Sequence, residues 1–184
     1  MLNKKQLHEL FVMTGKVDDV SKVDINMLKN HVLSNWTLDN RVSDNDFSYL
    51  HDYCKVPYHQ HLQWVQDYIR DHYRLDYGRT LVLAPNGVAG IIQQTGERIN
   101  THNHIDAFDL HGSPDISCLY CVSSGEKPAS VTFDYDDGRR KNWSWRVPME
   151  QGQFILFSSE LNHYITKNEN KDFLINLSFK YQLI

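Results

Sequence analysis

A mainly β fold with helices in front of it is what this sequence predicts, and three observations carry the prediction. From about residue 80 onward the chain breaks into short runs rich in Val, Ile, Thr and aromatics, separated by Asn-Gly, Ser-Gly, Asp-Gly and Pro. Short strands at regular spacing with such turn signals indicate a barrel or sandwich. The first third has the 3–4 residue apolar spacing of amphipathic helices instead. Finally, with 184 residues, 41% of them hydrophobic, the chain can bury one sizeable core, so one domain is expected, with residues 1–79 as helical support and 80–184 as the β core.

The elements follow in order. "SKVDINMLKNHVLSNW" sets Val23, Met27, Leu28 and His31 on one helical face, and "YHQHLQWVQDYIRDHYR" does the same with Leu62, Val65, Ile69 and Tyr73. The polar segment between them is a connection with a short helix near Phe47 to Tyr53. "RTLVLAP", "GVAGIIQQT", "RINTHNHI", "ISCLYCVS", "ASVTFDYDD", "NWSWRVP", "GQFILFSS", "NHYITKN" and "DFLINLSFKYQL" are the expected strands. Asp-Gly in "YDDGRRKNWSW" supplies the turn of a hairpin.

Composition excludes several function classes. A formal charge of −4 with dispersed Lys and Arg gives no footprint for nucleic acid or an anionic membrane. No run approaches the ~20 apolar residues of a membrane span, and "MLNKKQLHELFVMTG" is too polar for a secretory leader. A soluble, cytoplasmic protein is expected. Cys54, Cys118 and Cys121 are too few and odd in number for a disulfide framework. Within "CLYC" the two thiols, three apart on a strand, face opposite sides and cannot share a metal.

"INTHNHIDAF" carries the chemistry. His102, His104 and Asp106 alternate, so on an extended strand they share a face. The pair His104/Asp106 with one distant histidine would supply the 2-His-1-carboxylate site of a non-haem iron(II) oxygenase. His163, at the end of "GQFILFSSELNH", is the distant candidate. Against this stands the plain reading that these are solvated loop residues, since ten histidines produce such pairs by chance.

The order of these segments, an H-x-D, a loop, the strand "SCLYCVS" and then "GQFILFSSELNH", resembles the iron(II)/2-oxoglutarate-dependent dioxygenases, most closely the prolyl-4-hydroxylase-like branch and small oxygenases near it. The match runs from about Gly90 to Tyr181. The resemblance implies a double-stranded β-helix, a jelly-roll or cupin-like barrel, with His104, Asp106 and His163 as metal ligands and catalytic centre. It implies Fe(II), dioxygen and 2-oxoglutarate as co-substrate, with succinate, carbon dioxide and a hydroxylated amino acid, peptide or small metabolite as products. Tyr120 falls where that branch places a tyrosine on the co-substrate. The family's usual Arg or Lys after the last ligand is absent, its place taken by Phe173 or Leu174; Lys171, Asn176 and Ser178 are the nearest replacements, with Lys180 further along and Arg98, Arg140 and Arg146 elsewhere.

Two alternatives stay open. "GERINTHNH" also fits the G-x5-H-x-H opening of a cupin, which would make His102 a ligand in place of Asp106, with Asp109 the nearest downstream carboxylate. A non-catalytic β-barrel binding module would use none of these side chains for metal. His59, His61, His72 and His111 read as ordinary surface or loop residues, and Trp143 and Trp145 as core and rim packing. The segments Thr37 to Pro57 and Ala107 to Pro114 are the expected specificity elements.

Overall fold

The computed structural model describes residues 10–17, 22–42, 53–136 and 142–184. Its elements in chain order are β1 (Val12–Lys16), α1 (Ile25–Val42), β2 (Tyr53–Lys55), α2 (Gln60–Tyr77), β3 (Leu81–Gln93), β4 (Ile99–His102), β5 (Ile116–Ser123), β6 (Ser130–Asp136), β7 (Asn142–Pro148), β8 (Gln153–Ser158), β9 (Asn162–Ile165) and β10 (Leu174–Leu183). The paired strands are antiparallel throughout. They form a large sheet in the order β1-β8-β5-β10-β3-β2 and a small one in the order β4-β9-β6-β7.

Two apolar clusters hold these layers together. Ile91, Leu119, Ile155 and Phe157 of the large sheet meet Ile99, Val131, Val147 and Ile165 of the small one, so the sheets pack face to face. The opposite face of the large sheet, with Cys118, Tyr120, Ile175, Leu177 and Phe179, is covered by the helices. Helix α2 docks through Leu62, Val65, Ile69 and Tyr73, the stripe its spacing predicts. It begins at His59, whose side chain accepts from the His61 amide, and ends at Gly78, whose positive φ of 66° closes the last turn. Helix α1 is capped by Asp24, which accepts from the Met27 amide. It buries Leu28 and Val32 while Met27 is 52% exposed. Met27 therefore lies off the docking face, because a seam at i and i+4 passes it by.

The sequence reading needs three further adjustments. The first third is not wholly helical: β1 pairs with β8 and β2 with β3, adding both edges of the large sheet. Asn86-Gly87 does not turn the chain but sits inside one continuous β3 as an irregularity opposite Phe179 to Tyr181. Asn86 takes a φ of 53° there, and a Cβ at position 87 would meet the carbonyl oxygens of Ala84 and Lys180 at 2.7 and 2.8 Å. Only glycine allows that approach. Third, β4 ends at His102, so His104 and Asp106 lie on the following loop. The short helix expected near Phe47, the turn residues of the β6–β7 hairpin and Arg140 lie outside the described residues.

The three thiols are buried and unpaired, and Cys118 and Cys121 belong to opposite apolar clusters, as strand parity requires. Burial pushes the Cys54 thiol up to about 11 and that of Cys121 up to about 12. Among the described residues no helix is long and apolar enough to cross a membrane.

Candidate metal centre

Three histidines converge where the two sheets meet. His102, the last residue of β4, lies directly opposite His163 on β9, and His163 in turn lies opposite Phe133 on β6. Residues opposite one another in an antiparallel ladder share a face, so His102, His163 and Phe133 all look toward the large sheet. His104 comes in from the loop, its amide held by the Ser159 carbonyl at 2.9 Å. One ring nitrogen from each of His102, His104 and His163 lies within 4.8 Å of the other two. Phe157 and Phe133, in edge contact at 5.0 Å, form the apolar wall behind His163.

Hydrogen bonds orient the rings. His102 Nδ1 donates to the Asn100 carbonyl at 2.9 Å and His163 Nδ1 to the Leu161 carbonyl at 3.0 Å. A carbonyl oxygen can only accept, so each Nδ1 carries the proton and each neutral ring keeps its lone pair on Nε2. His104 Nδ1 instead meets the Ser117 hydroxyl at 2.6 Å, and Ser117 Oγ meets Ser159 Oγ at 2.7 Å. Burial pushes His163 down to about 4 and, helped by His163, Lys180 and His102, pushes His104 down to about 2. Both rings are therefore neutral at pH 7, the form that binds metal. Three imidazoles that each offer one nitrogen to a common point fit a first-row divalent ion with its other positions open.

Asp106 is not among these converging donors. It is exposed, and its Oδ1 accepts from the Phe108 amide at 2.8 Å. β4 ends at His102 and the chain bends at His104, so strand alternation does not carry Asp106 to the side of the histidines. Asp109 likewise closes its own turn, accepting from the Gly112 amide at 2.9 Å.

A cavity of about 460 Å³ opens beside His102 and His104, with Thr101, Ser178 and Lys180 in its wall. Asn176 and Ser178 occupy the same face of β10, opposite Cys121 and Leu119. Asn176 is buried and its Oδ1 has no hydrogen-bond partner among the described residues. The other expected co-substrate residues are elsewhere. Tyr120 is buried in the cluster beneath the helices, on the far face of β5 from Ser117. Lys171 is exposed on the loop before β10, where its carbonyl accepts from Thr95. Arg98 is exposed, and Arg146, opposite Thr132, is on the outer face of β7. Ser117 and Ser159 were not singled out by the sequence. Only the parity of Ser117 with Leu119 and Cys121 on a wholly buried strand hints at its place. A larger cavity, about 810 Å³, is walled by Tyr73, Arg79, Leu110 and Glu160 and includes none of the three histidines.

Fold and site together define a mainly β protein with a histidine cluster that could hold a metal ion between two antiparallel sheets. No protein-family model and no curated protein matches the chain. Solved structures share its fold. A non-haem α-ketoglutarate-dependent epimerase of nogalamycin biosynthesis, SnoN, superposes with a TM-score of 0.66 at 12% identity, over 93% of this chain and 77% of its own. A Pseudomonas putida prolyl-4-hydroxylase gives 0.58 at 11%, over 93% and 91%. EctD from S. alaskensis, solved with 2-oxoglutarate and 5-hydroxyectoine, gives 0.61 at 12%, over 93% and 71%. The resemblance to iron(II)/2-oxoglutarate-dependent dioxygenases thus extends to the fold, and at these identities it is a likeness of fold.

Proposed function

We propose that this chain is a non-haem iron(II)/2-oxoglutarate-dependent oxygenase that holds its iron through His102, His104 and His163 and hydroxylates a small molecule. The observation that carries the reading is the convergence of three imidazoles with their Nδ1 atoms hydrogen-bonded elsewhere. Fold neighbours that include α-ketoglutarate-dependent enzymes support it. In this reading the two sheets form a double-stranded β-helix and residues 1–79 and 80–184 make one domain, the helices bracing the large sheet from outside.

Iron, when bound, supplies the oxidative chemistry: 2-oxoglutarate and dioxygen are consumed, and succinate, carbon dioxide and a hydroxylated product leave. The protein's part is geometry and exclusion of water. His102 and His163 offer preset lone pairs. Lys180, with Ser178 and Asn176 on the same strand face, would take the distal carboxylate of the co-substrate through a charge-assisted hydrogen bond in the 460 Å³ cavity. Phe133 and Phe157 keep the inner side of the site dry.

The three-histidine set is also the one a cupin-type metal enzyme without 2-oxoglutarate would use; Lys180 in the cavity wall and the fold neighbours favour the co-substrate reading. The test is an anaerobic titration of the metal-free protein with iron(II) and then 2-oxoglutarate. A weak visible charge-transfer band that saturates at one equivalent is the expected result. Iron bound without the band moves the reading to the cupin-type enzyme, and no iron bound leaves a binding module.

A further inference from the structure

His104 differs from its two partners in what holds it. The carbonyls facing His102 and His163 can only accept a proton, but the Ser117 hydroxyl facing His104 can accept or donate. Ser117 and Ser159 are almost wholly buried, so water does not compete for their hydroxyl protons. The chain of three groups therefore runs in one of two directions. Ser159 can donate to Ser117 and Ser117 to His104 Nδ1, which leaves the imidazole proton on Nε2. Alternatively His104 Nδ1 donates to Ser117 and Ser117 to Ser159, which leaves Nε2 bare.

We propose that the Ser117–Ser159 hydroxyl pair is a tautomer switch that makes His104 a conditional metal ligand. The proposal rests on the three-histidine reading above. Ser117 Oγ is the sole hydrogen-bond partner of Ser159 Oγ among the described residues. Without metal, the direction that gives both buried hydroxyl protons an acceptor is Ser159 to Ser117 to His104. The remaining proton is then on Nε2, the ring nitrogen that Ser117 does not hold. A metal ion needs the Nε2 lone pair, so binding moves the imidazole proton to Nδ1 and reverses both hydroxyls, with no net gain or loss of protons at His104. His102 and His163 form a preset two-ligand entry, and His104 closes on the ion last. Ser159 also accepts from the His104 amide through its own carbonyl, so one residue holds both the backbone and, through Ser117, the ring.

Ser117 and Ser159 are positioning residues, and their role is read without any turnover. In long-range ¹H–¹⁵N spectra of metal-free protein labelled at histidine, His102 and His163 are expected as Nδ1–H tautomers and His104 as the Nε2–H tautomer. One equivalent of zinc(II) should convert His104 to Nδ1–H. Ser159→Ala, which does not touch the ring, should leave the metal-free spectrum unchanged, because Ser117 still donates to Nδ1. It should also leave zinc affinity within a few-fold of wild type, because the metal-free and metal-bound directions each lose one hydroxyl contact. Ser117→Ala, which removes the contact to the ring itself, should weaken zinc binding about 10–100-fold, and Ser117→Thr should retain it. A metal-free His104 already in the Nδ1–H form, a change of that tautomer in Ser159→Ala, or a His104 that keeps Nε2–H after zinc is bound overturns the switch. If the wild-type chain binds no zinc, the three-histidine reading fails instead, while the metal-free spectrum still decides the direction of the hydroxyl chain.

Discussion

His102 faces His163 directly across the β4–β9 ladder, their ring centroids 4.4 Å apart. This cross-strand pair is the rigid half of the candidate metal centre. It ranks His102 ahead of Asp106, whose carboxylate is engaged with the Phe108 amide.

The two ligand sets make opposite predictions. His102→Ala should weaken iron(II) or zinc(II) binding by more than about 100-fold, beyond the 10–100-fold typical of losing an outer contact. Asp106→Asn should leave metal affinity within a few-fold of wild type. Equilibrium metal titration of both variants decides, and the reverse result would restore the 2-His-1-carboxylate set.

Lys180 carries the co-substrate prediction. Lys180→Met should raise the KM for 2-oxoglutarate by roughly 10–100-fold, as expected from losing a hydrogen bond to a charged group, while metal affinity stays the same. Lys171→Met should change neither. An unaltered KM in the Lys180 variant would remove this residue from the carboxylate site.

Acid should destabilise the metal-free fold in a defined window. His163 and His104 are held below the ordinary histidine value of 6.5, at about 4 and about 2. Below pH 6.5 the unfolded chain takes up protons that the folded chain refuses, so stability falls as pH falls. The slope approaches about 1.4 kcal/mol per pH unit for each group until its folded pKa is reached. Urea midpoints measured from pH 7 to pH 4.5 should decline, and His104→Gln should flatten the decline. Equal slopes in the two proteins would mean that His104 is not kept neutral by the fold.

Gly87 ties the fold to the site. Gly87→Ala drives a methyl group against the backbone of Ala84 and Lys180 and should cost about 1–3 kcal/mol in urea denaturation. It should also raise the KM for 2-oxoglutarate, since the backbone it displaces carries Lys180.

Much of this was legible in the sequence. The α2 stripe, most strands and the histidines were readable because period and spacing report them directly. Edge strand β1 was not: "VMTGK" has little alternation, and the need for glycine at position 15 shows only in the Phe154 ring lying over it, which a Cβ would strike. Tyr120 lies on the helix side of β5, which the sequence does not show because β5 is buried on both sides. A strand with no polar face gives no sign of which residues look inward. Parity with Ser117 shows it, since Ser117 and Tyr120, three apart, face opposite ways. Asp106 lies outside the histidine cluster for a local reason, the bend at His104 and the turn after it, which alternation alone does not reveal.

The contacts that orient His102 and His163 come from main-chain carbonyls of Asn100 and Leu161. A carbonyl persists whatever side chain accompanies it, so those two positions can drift in evolution without disturbing the rings they hold. The third ring depends on two hydroxyl side chains, each one nucleotide change away from loss. A descendant with altered metal preference is thus expected to differ at the hydroxyls that hold this ring before it differs at the histidines.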